Sequence, residues 1–384
     1  MTEAFAPQSS LLRRAQVRCS TTEPIAALRA QLADDPLCLL VLFVSPFADF
    51  GAVVAEAEQL YPTTDVVACT TAGEIGAAGY DEGLIVAVGF PVGDFVSKSL
   101  AISDLEHYQP EVEMDRIAQE RVGLEDSSPQ METGFAFLIV DGMSLREDTL
   151  TATISPALRD MPLFGASAGD GTSFRSTLVA LNGLVLANGA IVNLIRSKHQ
   201  TQVFSLDHLV PTDTQMVVTG ADPERRIVKS INAEPAAREY ARIVGKDPNQ
   251  LDRFTFASHP VVVRIGGDHH VRAIQQVNED GELVFFSAID EGMVLTVAEP
   301  QNMVSHLRSK MEQMSEKAMF TDIIGCDCIL RRIEAEQTQM TRELSELLSQ
   351  YNVTGFSTYG EQIGPLHVNQ TMTGVAFYRK EGRR

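Results

Sequence analysis

The chain has 384 residues and carries 31 Lys and Arg against 51 Asp and Glu, a formal net charge of −20. An acidic surface of this kind repels nucleic acid and anionic lipid, so we expect neither as a partner. The longest apolar runs, such as residues 38–44, are far shorter than the roughly 20 residues that cross a bilayer. We therefore expect no membrane insertion.

Three further features predict a cytoplasmic protein of two domains. Residues 1–7 lack the basic and then apolar order of a secretory signal. The five cysteines are few and odd in number, which favours thiols in a reducing compartment over a disulfide framework. The length exceeds the usual single core of about 250 to 300 residues, so we expect two domains.

The first predicted unit begins with an apolar strand over residues 38–44. A helix follows, because apolar side chains recur at helical spacing between Phe50 and Leu60. A second strand over residues 66–68 then leads into Thr-Ala-Gly-Glu at 71–74. This signature consists of a hydroxyl, a spacer, a glycine and a carboxylate.

The same order returns twice at the same spacing. A strand over 135–140 and a helix over 145–158 precede Ser-Ala-Gly-Asp at 167–170. A strand over 323–330 and a third helical pattern, from Met340 to Tyr351, precede Thr-Tyr-Gly-Glu at 358–361. Three copies of one strand, helix, strand and signature indicate a repeat-built architecture.

These units predict the fold class and a domain boundary. A strand, a crossover helix and a second strand favour parallel pairing, whereas Asn-Gly at 182–183 predicts a hairpin. The sequence therefore predicts an α/β fold (mixed α+β), in which mixed sheets flanked by helices are built from repeated strand–helix–strand units. We place the boundary before the polar stretch 221–226, which gives residues 1–220 two copies of the repeat and residues 221–384 the third.

The repeated signatures have two interpretations. Each follows a strand, where α/β proteins commonly bind ligands, and its glycine would let backbone amides approach a ligand. Alternatively, it is a copied structural turn whose carboxylate accepts bonds from the backbone. Paired acids also allow a hydrolase, but none of the standard nucleotide, hydrolase or metalloprotease motifs is present, so we predict that the chain is not an enzyme.

Cysteines and histidines are the remaining candidates for metal binding. Cys326 and Cys328 lie on one face of a predicted strand, and buried strand thiols are the simpler interpretation because no second ligand pair accompanies them. His208, His259 and His367 lie in largely apolar segments. Residue type alone does not separate a ligand from a hydrogen-bonded structural histidine.

The sequence resembles a FIST (F-box and intracellular signal transduction) domain with its N- and C-terminal halves. The resemblance extends from about residue 38 to residue 378 and rests on segments 69–75, 217–219, 234–240, 359–361 and 367–371. FIST domains are regarded as small-ligand sensory modules of signalling proteins. The resemblance therefore implies a sensory binding domain.

The finer pattern is similar to the bacterial nitric oxide-sensing haem proteins of the NosP family. It rests on segments 207–208, 221–224, 231–242, 288–292, 326–332 and 367–371. This resemblance implies a b-type haem that binds nitric oxide and regulates a separate histidine kinase or phosphotransfer protein, with effects on cyclic-di-GMP and biofilm formation. His208 is our first choice for the iron ligand, His259 the second and His367 the third, and a homo-oligomer is possible.

Two alternatives stay open. The first alternative is a non-haem receptor whose pocket, lined by the repeated turns, holds an amino acid or a similar metabolite. A scaffold that recruits signalling proteins without a ligand is the remaining hypothesis.

Overall fold

The structure is a computed structural model that describes residues 10–32, 35–316 and 318–379. Within this part of the chain the strands form four sheets, three of six strands and one larger. The fold is mixed α/β, as the sequence predicted. Among the described helices, none combines the length and apolar character that a membrane span requires.

Unit 1 contains two helices and a hairpin between its core strands. Its elements are β1 (Arg13–Arg18), α1 (Pro24–Gln31), β2 (Leu37–Val44), α2 (Phe50–Leu60), β3 (Asp65–Thr70), β4 (Glu74–Gly76), β5 (Gly79–Asp81) and β6 (Leu84–Pro91).

Unit 2 repeats this order. Its elements are β7 (Phe95–Ile102), α3 (Pro110–Ser127), β8 (Thr133–Val140), α4 (Glu147–Leu158), β9 (Leu163–Ser167), β10 (Val179–Leu181), β11 (Leu184–Leu186) and β12 (Ala190–Ser197).

Unit 3 is interrupted after its first strand, β13 (Gln200–Leu206), by an additional sheet, here called the inserted sheet. The insertion comprises β14 (Leu209–Asp222), β15 (Ile227–Ile231), β16 (Glu234–Pro235), α5 (Ala236–Val244), α6 (Arg253–Ser258), β17 (Val261–Ile265), β18 (Asp268–Arg272), β19 (Ile274–Val277), β20 (Leu283–Phe285) and β21 (Val294–Pro300). Unit 3 then resumes with α7 (Met303–Ser315), β22 (Phe320–Cys328), α8 (Ile329–Gln337), α9 (Thr341–Gln350), β23 (Val353–Thr358), β24 (Glu361–Ile363), β25 (Leu366–Val368) and β26 (Met372–Tyr378).

Each unit forms a six-stranded sheet with a hairpin from another unit at its edge. The sheet orders are β1-β6-β2-β3-β10-β11, β7-β12-β8-β9-β24-β25 and β13-β26-β22-β23-β4-β5. Unit 2 therefore donates a hairpin to unit 1, unit 3 to unit 2, and unit 1 to unit 3. This cyclic exchange closes the three units into a ring.

The ring has one shared inner core and separate outer cores. In β2, Leu39 and Val41 face the shared core, whereas Leu40 and Leu42 face α1 and α2. A strand buried on both faces needs a continuous apolar run, which explains the sequence of β2. At the centre, Phe43 of unit 1 stacks on Phe356 of unit 3, with ring centroids 4.7 Å apart.

Some of the predicted elements agree with the structure and others differ from it. The predicted parallel strand pairs are present as β2–β3, β8–β9 and β22–β23. The strand predicted over 323–330 ends instead at Cys328, where α8 begins. The domain division at residues 220 and 221 stays a prediction, and that position lies within β14.

Candidate functional site

The three signatures meet where the units join. The backbone N–H of Ala72 donates to the carbonyl of Ser357 at 2.8 Å, and that of Ser167 donates to Gly360 at 2.8 Å. Gly169 closes the circle by donating to the carbonyl of Thr70 at 3.1 Å. The signature turns, here called the first, second and third turn, therefore connect each unit to the next.

The carboxyl groups of the first and third turns accept bonds within the ring. Thr71 donates its hydroxyl to Glu74, and Thr358 donates to Glu361 in the same way. Glu74 also accepts from the N–H of Leu84 at 2.9 Å. Burial raises the pKa of Glu74 to about 7 and that of Glu361 to about 8.

The carboxylate of the second turn organises a loop. Asp170 accepts from the backbone N–H groups of Phe174, Arg175 and Ser176 at 2.7, 2.9 and 3.0 Å. The hydroxyl of Tyr359, from the third turn, also donates to Asp170. All three carboxyl groups thus stabilise a turn or the loop after it, which agrees with the structural interpretation of the repeat.

The first turn nevertheless opens towards a charged side chain. Gly73 has a φ of 124°, and a Cβ at this position would lie 1.7 Å from Nη1 of Arg332 on α8. The guanidinium of Arg332 is held by Glu82 at 2.9 Å and by Glu336 at 3.2 Å. A glycine is therefore required here both by the backbone and by the close approach of Arg332.

A cavity of about 450 Å³ lies between the first and second turns and α8. Its wall includes Gly73, Asp170, Arg175, Arg332 and Phe47. This volume falls within the range of about 300 to 1,000 Å³ that is typical of small-molecule sites. Phe47 is 74% exposed at this wall, so a ligand would bury it.

A haem iron, which the resemblance implies, needs an imidazole nitrogen with a free lone pair. His208 is buried, and both of its ring nitrogens are engaged: Nε2 lies 2.9 Å from Glu334, and Nδ1 accepts from Arg331 at 2.9 Å. Arg331 is held in turn by Asp327 at 2.6 Å. In this arrangement neither ring nitrogen of His208 has a free lone pair for iron. The assignment of His208 as the iron ligand stays a prediction.

His259 has the most suitable donor of the three candidates. Its Nδ1 lies 3.2 Å from the carbonyl oxygen of Thr255, which can only accept a hydrogen bond, and 2.9 Å from the hydroxyl of Ser258. A proton on Nδ1 leaves the lone pair on Nε2, as in many metal-binding histidines. The half-buried ring of His259 therefore fits an iron ligand in its donor chemistry.

His367 lies behind the third turn, away from the cavity. Its Nδ1 accepts from Nε2 of Gln362 at 3.1 Å, so Nε2 carries the ring proton and acts as a donor. That Nε2 is buried and has no hydrogen-bond partner among the described residues. Burial lowers the pKa of His367, which favours the neutral ring.

The two neighbouring cysteines are both buried free thiols in β22. Cys326 packs in the shared core of the ring, whereas Cys328 packs beside α8 and Tyr359. Burial raises both pKa values well above the ordinary thiol value. Their environment is that of strand side chains in a core.

Comparison with protein families agrees with this architecture. Residues 38–234 match the FIST N domain, and residues 236–364 match the FIST C domain. The chain belongs to the FIST family. FIST domains are sensory domains of signal transduction that bind small ligands. No curated protein matches this FIST chain.

The principal site residue missed by the sequence interpretation of this FIST domain is Arg332. The strand predicted over 323–330 ends before Arg332, which is assigned to no element, whereas the structure places it on α8, where it faces the first turn. A signal was available, because Ile329, Ile333 and Leu330 recur at helical spacing.

Proposed function

We propose that this FIST protein is a sensory binding protein rather than an enzyme, and that its ligand is a small zwitterionic metabolite such as an amino acid. The mixed charge at the cavity wall carries this proposal. The exposed Arg175 offers its guanidinium group to a carboxylate. Arg332 pairs with Glu82 and Glu336 on the same wall, and a zwitterionic ligand would exchange part of this pairing for its own carboxylate and ammonium group.

The cavity also has a place for the side chain of such a ligand. Phe47 and Ile333 contribute apolar surface to the same wall. Covering the exposed Phe47 would add hydrophobic stabilisation to the charged contacts. We infer that the ligand changes the contacts of α8 with the first turn, and that a separate histidine kinase or phosphotransfer protein responds to this change.

A thermal-shift screen of the common amino acids tests this proposal. We expect at least one of them to raise Tm, and Arg332→Gln and Arg175→Gln to weaken its Kd by about tenfold or more, because a charged hydrogen bond is lost. Arg342→Gln is the matched control, since Arg342 is exposed and pairs with Glu346 at 3.2 Å, away from the cavity wall. An equal loss of affinity in the control would contradict the site.

A haem-based nitric oxide sensor is the second candidate, and the orientation of His259 favours it. A ferrous haem b would supply the iron to which nitric oxide binds. The carbonyl of Thr255 would hold the proton on Nδ1 and direct Nε2 of His259 towards the iron. In this case too the output would be a separate histidine kinase and cyclic-di-GMP-linked signalling.

Absorption spectra of the haemin-reconstituted protein separate the two candidates. The haem proposal predicts a Soret band that shifts when nitric oxide is added to the ferrous form and is lost in His259→Ala. His107→Ala is the control, because that ring is exposed and pairs with Asp104 on the surface. Haemin binding no stronger than to an unrelated acidic protein would exclude this candidate.

A further inference from the structure

Helix α8 contacts the proposed cavity with one face and the connection to the inserted sheet with another. Arg332 and Glu336 line the cavity. Arg331 and Glu334 instead bond to the imidazole of His208, which is buried. Residues three or four positions apart share a face of a helix, so the two pairs belong to separate faces of α8. The helix therefore lies between the cavity and His208.

His208 lies where the chain passes between the ring and the inserted sheet. Asp207 and His208 alone separate β13, which pairs with β26 in the ring, from β14, which pairs with β21 in the inserted sheet. The return passage from β21 to α7 consists of Gln301 and Asn302. The backbone N–H of Gln301 donates to the carbonyl of His208 at 2.7 Å, so the two passages are bonded to each other. Residues 207–208 and 301–302 are here called the base of the inserted sheet.

A buried hydrogen-bond network connects α8 to this base. Arg331 donates to Nδ1 of His208 at 2.9 Å, so Nε2 carries the ring proton and donates to Glu334 at 2.9 Å. One oxygen of Asp327 accepts from Arg331 at 2.6 Å, and the other accepts from the hydroxyl of Tyr80. A bond lost here would leave a buried polar or charged group without a partner, so we expect α8 and His208 to move together.

The other contact between α8 and the inserted sheet is apolar. Ile329 and Leu330 of α8 belong to one cluster with Ala273 and Phe286. Apolar contact is non-directional, so α8 can shift against these side chains at little cost, whereas hydrogen bonds weaken steeply with distance and angle. The bonds to His208 therefore fix the inserted sheet relative to α8 more strictly than the apolar contact does.

We propose that α8 and His208 couple the cavity to the inserted sheet, so that binding at Arg332 changes how firmly the base is held. This coupling rests on the amino acid site proposed above for its trigger. A ligand that exchanges the pairing of Arg332 with Glu82 changes the position of α8, and the guanidinium also lies over the aromatic ring of Tyr80, 5.8 Å from its centroid. The inserted sheet is then the element whose changed position a partner protein recognises.

Amide hydrogen–deuterium exchange of the full chain tests the coupling, first without any ligand. Arg332→Gln is the perturbation, because it removes the pairing with Glu82 at 2.9 Å. We expect peptides 207–218 and 295–303, which contain the base, to exchange about fivefold faster or more. Arg342→Gln is the matched control, since Arg342 is an exposed arginine that pairs with Glu346 at 3.2 Å, and it should leave both peptides unchanged.

Variants of His208 decide whether the response passes through the network. His208→Phe keeps an aromatic ring but removes both bonds to α8, so Arg332→Gln should have no further effect on the two peptides in this background. His208→Gln retains an amide that can bond to Arg331 or Glu334, so part of the response should persist there even if His208→Phe folds poorly. An equal response in the His208→Phe background, or no response to Arg332→Gln, would overturn the coupling.

A second exchange experiment, with an equimolar mixture of the common amino acids, separates the coupling from the site. We expect slower exchange both in α8 and in the two base peptides. A change in α8 that does not reach the base peptides would overturn the coupling and leave the amino acid site intact. No change in α8 would contradict the amino acid site, while the comparison of Arg332→Gln with and without His208→Phe still decides the coupling.

Discussion

The first and third turns share a sequence pattern and an internal bond but have different neighbours. Thr71 donates to Glu74 in one, and Thr358 donates to Glu361 in the other. The first turn faces a cavity through Gly73, whereas Gly360 of the third is closed by a histidine ring. The copied turn therefore builds the ring, and the segments packed against each copy decide what it can bind.

Among the substitutions that distinguish the two turns, Gly73→Ala should have the largest effect. The substitution puts a side chain at a φ of 124° and a Cβ 1.7 Å from Nη1 of Arg332. We expect a loss of about 3 kcal/mol in the free energy of unfolding, from backbone strain and from displacement of the guanidinium. Denaturant unfolding measures the loss, and amino acid binding should weaken in parallel.

Substitutions at two other glycines separate the cost of backbone strain from the cost of steric contact. Gly93 has a φ of 98°, and a Cβ added there would have no described atom within 4 Å, so Gly93→Ala reports the strain alone, about 1 kcal/mol. At the third turn, Gly360→Ala has no such strain, but its Cβ would lie 2.3 Å from Cε1 of His367, and we expect about 2 kcal/mol. Equal losses for Gly73→Ala and Gly93→Ala would show that Arg332 contributes nothing.

The ring was predictable because its signals are local and repeated. The apolar run of β2 and the signature at 71–74 each reveal a strand and the turn that follows it, and two further copies support the assignment. A motif used three times favours architecture over catalysis, and the bonds of Glu74 and Glu361 agree with that interpretation.

The difference between the turns could not be predicted from the same signals. Arg331 and Arg332 are charged yet buried, which obscures the amphipathic pattern of α8. Arg272 donates to the backbone carbonyl of His367 from a segment inserted into unit 3, so this contact joins residues far apart in the chain. Such contacts depend on how the inserted sheet docks, which no local pattern reveals.

The pH dependence of stability should also differ between the first and third turns, because each contains a buried glutamate with its own pKa. A glutamate in the unfolded chain has a pKa of about 4.3, whereas burial raises the pKa to about 7 for Glu74 and about 8 for Glu361. The folded protein holds these protons after the unfolded chain has released them, so both groups lower stability as pH rises through this window. Glu361→Gln should remove this decline, which for Glu361 extends to about pH 8.

Glu74→Gln is the paired variant, and its effect should end near pH 7, where the pKa of Glu74 lies. Tm measured from pH 5 to pH 9 for both variants and the unchanged protein gives the two windows. If the two variants change the pH profile identically, the third turn is no more enclosed than the first.

The threonine hydroxyls give the smallest and most direct comparison. Thr71→Val and Thr358→Val keep the shape of the side chain but remove the donor to Glu74 or Glu361, and each should cost about 1 kcal/mol of stability. Glu361 still accepts from the hydroxyl of Thr371 at 2.7 Å, while Glu74 keeps only the N–H of Leu84 among the described contacts. The loss should therefore be larger for Thr71→Val than for Thr358→Val in denaturant unfolding. The reverse order would mean that the more complete burial of Glu361 outweighs its additional bond.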